Sequence, residues 1–232
     1  MTRLPDKSCV GMESAVAAIP DGATVMIGGF GVPGTPFALI RELVRHGAKN
    51  LTIIKNDANE QGMGIDHLLA NGQVKKLITT HIGLNPRAVA MFNSGELEVE
   101  FCAQGILAER IRAGGAGLSA IVTDIGLDTE LAAGKTVIEV DGRPALLERA
   151  IRADAALIHA ERADRFGNLT YAATARNFSP VMAMAADLVI VETEALQALG
   201  SIRPEHIHTP GPFVDLVTVL DEITEDYGVV RR

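Results

Sequence analysis

Short apolar runs alternate with amphipathic stretches along the whole chain. Residues 23–29 (ATVMIGG), 51–55 (LTIIK), 76–82 (KLITTHI), 97–103 (LEVEFCA) and 118–123 (LSAIVT) are such runs, and 136–140, 155–160 and 188–192 follow. Runs that are apolar at successive positions predict strands covered on both faces. Helical patterns lie between them. In 36–46 (PFALIRELVRH), Phe37, Ile40, Leu43 and Val44 share one stripe, and Gly47 follows as a C-cap. Residues 105–112 (GILAERIR) predict another helix, stopped by Gly114 and Gly115. This alternation predicts an α/β fold, with a mostly parallel sheet and helices on both faces. Residues 136–149 depart from it. There Asp141-Gly142 lies between two apolar runs, a hairpin signal, so a small antiparallel excursion is expected. No repeat, low-complexity tract or linker is evident, so one domain over 1–232 is expected, with the charge-rich 221–232 as a surface helix or tail.

Composition narrows the class. Of 232 residues, 47% are hydrophobic and 22% charged, a globular balance rather than a disordered one. The 21 basic and 29 acidic residues leave a formal net charge of −8, which argues against nucleic acid as a partner. Anionic ligands stay open, because glycine loops and helix N-termini bind anions without net positive charge. Cys9 and Cys102 are the two cysteines; they give no metal or disulfide framework, and a reducing cytoplasm is the default. The first residues carry no apolar stretch of the signal-peptide type. Residues 23–40 are uncharged and approach the length of a membrane span. Their glycines, with Pro33 and Pro36, would break a helix in its middle, so strand, loop and helix are expected there and no membrane span.

The strongest local feature is Gly28-Gly29-Phe30-Gly31-Val32-Pro33-Gly34-Thr35-Pro36. Gly29 to Gly34 reads G-x-G-x-x-G after a strand and before a helix, with Asp57 ending the next strand, which matches a dinucleotide fingerprint. Pro33 and Pro36 sit where that fold winds its phosphate-binding helix. Proline is tolerated only in a first turn, so the helix should begin near Pro36. What remains is a wider loop of N–H groups, suited to an anionic or acyl group. A glycine-rich turn serving only close strand–helix packing is the third reading.

Four blocks carry a family resemblance. Asp21-Gly22-x-x-Val25-Met26-Ile27-Gly28-Gly29-Phe30-x-x-x-Gly34-x-Pro36 is the first. Ala103-Gln104-Gly105-x-Leu107-Ala108-Glu109-Arg110-Ile111-Arg112-Ala113-Gly114-Gly115-Ala116-Gly117 is the second. Asp164-x-x-Gly167-Asn168-Leu169-Thr170-Tyr171, followed by Ala175-Arg176-Asn177-Phe178-x-Pro180, is the third, and His208-Thr209-Pro210-Gly211 the fourth. In this order they resemble the alpha chain of family I coenzyme A transferases, which exchange CoA between an acyl-CoA and a free carboxylic acid. The resemblance implies the CoA-transferase (NagB/RpiA-like) fold. Asn56-Asp57, Asn71-Gly72-Gln73-Val74 and Thr80-His81-Ile82-Gly83-x-Asn85-Pro86 look most like the acetate/acetoacetate (butyrate–acetoacetate) branch. The 3-oxoadipate and succinate–3-oxoacid branches are near alternatives.

The resemblance implies ping-pong covalent catalysis through a glutamyl anhydride and a glutamyl-CoA thioester. In the family, the nucleophilic glutamate lies on the beta subunit in a Ser-Glu-Asn-Gly motif. That motif is absent from this sequence, and Glu13, Glu96 and Glu109 have the wrong context. No catalytic nucleophile is therefore expected here. The resemblance also implies coenzyme A for co-substrate and, for partner, the beta subunit: two alpha with two beta chains and sites at their interfaces. This chain's expected contribution is CoA and substrate binding by Gly28, Gly29, Phe30, Gly31, Val32, Pro33 and Gly34, with Gln104 orienting a carboxylate or oxyanion. Two segments depart from the family pattern. Pro36-Phe37-Ala38 replaces Pro-Glu-Asn of the succinate–3-oxoacid branch, which favours a smaller, more apolar acyl group. Asp124 and Asp128 stand in a loop where relatives carry Thr-Pro-Thr-Gly-x-Gly-Thr. A non-catalytic paralogue and a dinucleotide-dependent oxidoreductase are the competing classes.

Other polar residues have plainer expectations. His81 is expected to be a strand-end histidine satisfied by backbone, and Cys102 a buried, inert thiol. Glu109, Arg110 and Arg112 either meet CoA phosphates or form ion pairs on a solvated or subunit-facing helix. Asp164, Arg165 and Asn168 read as a polar turn, and 182–184 as core.

Overall fold

The structure is a computed structural model that describes residues 6–8 and 11–227. In chain order its elements are α1 (Met12–Val16), β1 (Thr24–Ile27), α2 (Phe37–His46), β2 (Leu51–Ile54), α3 (Asp66–Ala70), β3 (Val74–Thr79), α4 (Pro86–Ser94), β4 (Glu98–Phe101) and α5 (Gln104–Gly115). There follow β5 (Ala120–Thr123), β6 (Thr136–Val140), β7 (Arg143–Arg149), β8 (Ala153–Asp164), β9 (Leu169–Thr170), α6 (Ser179–Ala185), β10 (Ala186–Gln197) and β11 (Leu216–Val219).

The large sheet has the order β11-β10-β8-β1-β2-β3-β4, all parallel, with β9 antiparallel to β8. Its two faces carry separate cores. Val25, Ile27, Leu51, Ile53 and Leu157 face α1 to α4, while Met26, Ile54, Ala156 and Ile158 face α5 and α6. Both faces are thus roofed by helices, as continuous apolar runs require. From β1 the chain steps outward through β2, β3 and β4, then returns to β8 on β1's other side. That reversal beside β1 is the kind of switch point where α/β folds open a crevice at their strands' carboxyl ends.

The small antiparallel sheet also exists, in the order β5-β7-β6. It corrects one assignment. Residues 118–123 do not join the parallel sheet; β5 pairs with β7, and Val122 is exposed. Length and apolarity alone do not distinguish such a strand from a covered one. Helix α5 ends at Gly115, as Gly114 and Gly115 predict. Their missing side chains let the helix close on Ile151 and Met184; a Cβ on Gly115 would lie 2.6 Å from Met184 Cβ. The described part of the charged C-terminal segment lies at the surface, as expected, with a short 3₁₀ helix at Glu225–Tyr227. Up to Tyr227 it is tied down: the Tyr227 ring meets Phe37 edge-on at 5.2 Å, and its hydroxyl donates to Glu192 Oε1 at 2.9 Å. Residues 228–232, like Cys9, lie outside the described residues.

Helix α2 begins as expected, with Pro36 at its N-cap, and ends at Gly47 in the left-handed conformation at φ 80°. The buried amide of Gln73 holds that end by donating to Leu43 O and Ala48 O, both at 2.9 Å. Residues 23–40 are strand, loop and the start of α2. Among the described residues no helix is long and apolar enough to cross a membrane.

Candidate functional site

β1 delivers the glycine segment to the carboxyl end of the sheet, where it turns back on itself. The Phe30 N–H donates to Pro33 O at 3.1 Å, the Thr35 N–H to Val32 O at 3.1 Å, and the Thr35 hydroxyl to Gly31 O at 2.6 Å. Three glycines have positive φ: Gly29 at 101°, Gly31 at 58° and Gly34 at 80°. At Gly29 a Cβ would sit 2.5 Å from Thr35 N and 2.7 Å from Thr35 Cα, so backbone passes directly over it. At Gly34 a Cβ would lie 2.5 Å from Ala175 O, and Asn177 Nδ2 donates to Pro33 O at 2.9 Å. The first and third motif blocks therefore pack on each other. The fourth joins the third: the Tyr171 hydroxyl pairs with Thr209 Oγ1 at 2.7 Å, and Tyr171 N–H donates to His208 Nδ1 at 3.0 Å.

The loop offers fewer free donors than its sequence suggests. Gly28 N–H is spent on Leu157 O, Phe30 N–H on Pro33 O and Gly31 N–H on Asp57 Oδ2, while Pro33 has none. The amides of Gly29, Val32 and Gly34 have no partner among the described residues. Backbone N–H groups without partners are rare except where water or a ligand satisfies them.

Gln104 reaches the same place from the second block. It opens α5, is solvent-exposed, and donates from Nε2 to Asn56 Oδ1 at 2.9 Å. Asn56 Nδ2 donates to Asp57 Oδ2 at 3.0 Å, the oxygen that takes the Gly31 N–H at 2.7 Å. A hydrogen-bonded chain thus joins Gln104 to the loop through two residues that follow β2. Burial opposes the ionisation of Asp57. The Lys55 charge and the donors Gly31, Asn56 and Asn59 outweigh it and hold the carboxyl below its usual range. Sequence reasoning does not single out Lys55 and Asn59. Their one signal is a lysine and further polar residues continuing an apolar strand.

Beside the loop lies a cleft that opens to solvent. Phe30, Val32, Met63, Ile82 and Leu84 make it largely apolar, and Glu60, Asp57 and His81 are its titratable residues. His81 lines this cleft two residues beyond β3.

Comparison with known proteins assigns the family. The family model "Coenzyme A transferase" matches residues 10–220. The chain belongs to the coenzyme A transferase family. It is 44% identical over 211 residues to the alpha subunit of acetate CoA-transferase of Escherichia coli K12, covering 91% of this chain and 96% of that one. It is 47% identical over 204 residues to the corresponding chain of succinyl-CoA:3-ketoacid coenzyme A transferase of Xanthomonas campestris pv. campestris B100, covering 88% and 84%. Among solved structures, an acyl-CoA transferase of Escherichia coli O157:H7 in a thioester complex with CoA superposes with TM-score 0.83 at 25% identity. The match covers 96% of this chain and 48% of that one, so this chain spans about half its length.

Within the family frame the dinucleotide reading loses its key residue. Asp57, which would take a ribose hydroxyl, is 4% exposed and occupied by Gly31, Asn56, Asn59 and Lys55. The two family departures also find places. Ala38 does not line the loop cleft. It borders a separate groove with Arg41 and Glu42, and its N–H donates to the Tyr227 hydroxyl at 3.0 Å. Asp124 and Asp128 are exposed beside the small sheet and line no part of the cleft. Arg110 is not solvated: it is buried and donates to Arg149 O, Glu100 and Cys102. Cys102 is buried as expected, and burial raises its thiol pKa. Glu109 and Arg112 form an exposed ion pair. Asp164 closes its turn by accepting from Phe166 N–H, Asn168 N–H and Asn168 Nδ2. Met182 and Ala183 are core. Asn85 caps α4 and donates to Ala58 O and Asp66 Oδ1, so this branch-like motif residue is structural.

Proposed function

We propose that the chain is one domain and the alpha subunit of a cytoplasmic CoA-transferase, moving CoA between a short-chain acyl-CoA and acetate or a 3-oxoacid. Its beta partner supplies the nucleophilic glutamate, two alpha with two beta chains. The observation that carries the reading is a family-matched glycine loop with three open amides at the sheet's switch point, on a chain without Ser-Glu-Asn-Gly. That this chain spans about half of the solved acyl-CoA transferase supports a site completed by a second chain.

In this reading the partner's glutamate carboxylate attacks the thioester carbonyl, forming a mixed anhydride and releasing CoA thiolate. The thiolate attacks the glutamyl carbonyl, giving glutamyl-CoA and the first free carboxylate. The second acid's carboxylate then attacks, and the steps reverse to give the new acyl-CoA. Each addition passes through a tetrahedral oxyanion, which N–H groups of Gly29, Val32 and Gly34, with the Gln104 amide, are suited to stabilise. The apolar lining from Phe30, Val32 and Leu84 suits a thioester arm or acyl group and helps keep water from the anhydride. The acetate and succinate relatives stand at nearly equal identity, 44% and 47%, so the acyl group is assigned here from the apolar cleft.

Co-expression of this chain with its beta partner, and assay of acetyl-CoA or butyryl-CoA exchange with acetoacetate, tests the proposal. Exchange by the mixture and by neither chain alone is expected. Exchange by this chain alone would overturn it.

A further inference from the structure

Lys55 is 0% exposed, and its Nζ has no hydrogen-bond partner among the described residues. The nearest opposite charge is Asp57 Oδ1, 3.5 Å away. A buried ammonium is costly, by several kcal/mol, when hydrogen bonds do not satisfy it, so core packing alone does not account for a lysine here. Burial accordingly pulls its pKa below the usual lysine range, against the attraction of Asp57.

Asp57 shows what the charge is for. Its Oδ2 accepts from Gly31 N–H at 2.7 Å and Asn56 Nδ2 at 3.0 Å, and its Oδ1 accepts from Asn59 N–H at 2.9 Å. Every neighbour is a donor, so this shell favours the unprotonated carboxylate, whose oxygens only accept, over the acid. Burial favours the acid. Lys55, with Nζ 3.5 Å from Asp57 Oδ1, is the cation among the described residues whose charge favours ionisation of this carboxyl.

We propose that Lys55 is a positioning residue for the glycine loop: it keeps Asp57 ionised, and Asp57 holds Gly31 N–H and so the left-handed turn that presents the open amides. Asn59 completes the grip by donating from Nδ2 to Gly31 O at 2.9 Å. Lys55 acts through Asp57 and touches no reacting atom. The proposal deepens the CoA-transferase reading and rests on it for the loop's purpose, though not for the loop's shape.

The test is Lys55→Met, which keeps the stem and removes the charge, alone and with Asp57→Asn. Hydrogen exchange of residues 28–37 reads the loop whether or not exchange of CoA is detected. An opposite charge at this range lowers a carboxyl pKa by about 1–3. The wild-type loop should therefore stay protected on mild acidification, while in Lys55→Met protection falls at a pH higher by about that amount. In the Asp57→Asn background, Lys55→Met should add nothing. If the assembled enzyme is active, the acid limb of its kcat/KM should move upward in the same way. A limb belonging to His81 or Glu60, the cleft's other titratable residues, would stay in place. Unchanged protection at every pH, or an equal loss with and without the Asp57 carboxyl, would overturn the proposal. Should Lys55→Met fail to fold, the double variant removes both charges and leaves no unpaired one. It should then match Asp57→Asn; a double variant that unfolds where Asp57→Asn folds would show a purely structural role and also overturn it.

Discussion

Replacing Gly29 by alanine separates loop shape from general stability. Gly29 sits at φ 101°, which side-chain-bearing residues rarely adopt, and strained backbone of this kind costs roughly 1–3 kcal/mol. The new Cβ would also lie 2.5 Å from Thr35 N and 2.7 Å from Thr35 Cα. Both are backbone atoms, so the loop must open rather than a side chain rotate. Gly31→Ala is the matched control. Gly31 also has positive φ, 58°, but a Cβ there meets nothing within 4 Å, so only the left-handed cost of roughly 1–2 kcal/mol applies. Displacement of about 1 Å at a reacting centre costs on the order of 10²-fold in rate. We expect Gly29→Ala to lower kcat/KM for CoA exchange by about that factor in the assembled enzyme. Gly31→Ala should lower the unfolding free energy by roughly 1–2 kcal/mol and reduce exchange less than Gly29→Ala does. The assay is steady-state exchange together with urea unfolding of both variants. Full exchange activity in a folded Gly29→Ala enzyme would refute the assignment of this loop to the site.

Three further outcomes are expected. His159 lies between Glu192 Oε1 at 2.9 Å and Glu194 Oε1 at 3.1 Å, one carboxylate on each ring nitrogen; burial opposes its charge, but the two carboxylates raise its pKa to about 9. Its folded pKa exceeds the unfolded value, so its stabilisation is complete below about pH 6.5 and is lost as pH rises through 9, roughly 3 kcal/mol in all; urea unfolding across that range should show the loss, and His159→Gln should flatten it. Gln104→Ala removes an exposed side chain, so stability should change by no more than about 0.5 kcal/mol, while loss of a site amide should cost about 10²-fold in exchange rate; thermal melts beside kinetics check the split. Gly114→Ala drives a methyl into the Ile151 carbonyl and should destabilise the chain by about 1–3 kcal/mol, measured by urea unfolding, because α5 must move off the segment that joins β7 to β8.

Much of the architecture was legible because its physics is local. Continuous apolar runs marked β1, β2, β8 and β10, and Pro36 and Gly47 bounded α2, since a proline start and a left-handed glycine end are single-residue requirements. What escaped depends on distant neighbours. Residues 118–123 read as a covered strand until β7 pairs with them, and nothing local in the sequence shows that Ile151 presses on Gly114. The same holds for the site. The glycine loop and Gln104 were visible in the sequence, but their connection runs through Asn56 and Asp57, and the lysine beneath them looks like an ordinary strand-end charge. The use of Gly28, Phe30 and Gly31 amides inside the fold was invisible for the same reason.

The central claim is that the reacting glutamate is not on this chain. The direct measurement is to incubate the alpha–beta assembly with acyl-CoA and no acceptor acid, then determine by intact-mass spectrometry which chain carries CoA. The account predicts the CoA adduct on the partner chain alone, and its disappearance when acetate is added. A CoA adduct on this chain, above all on Glu60, the glutamate that lines its cleft, would contradict the account.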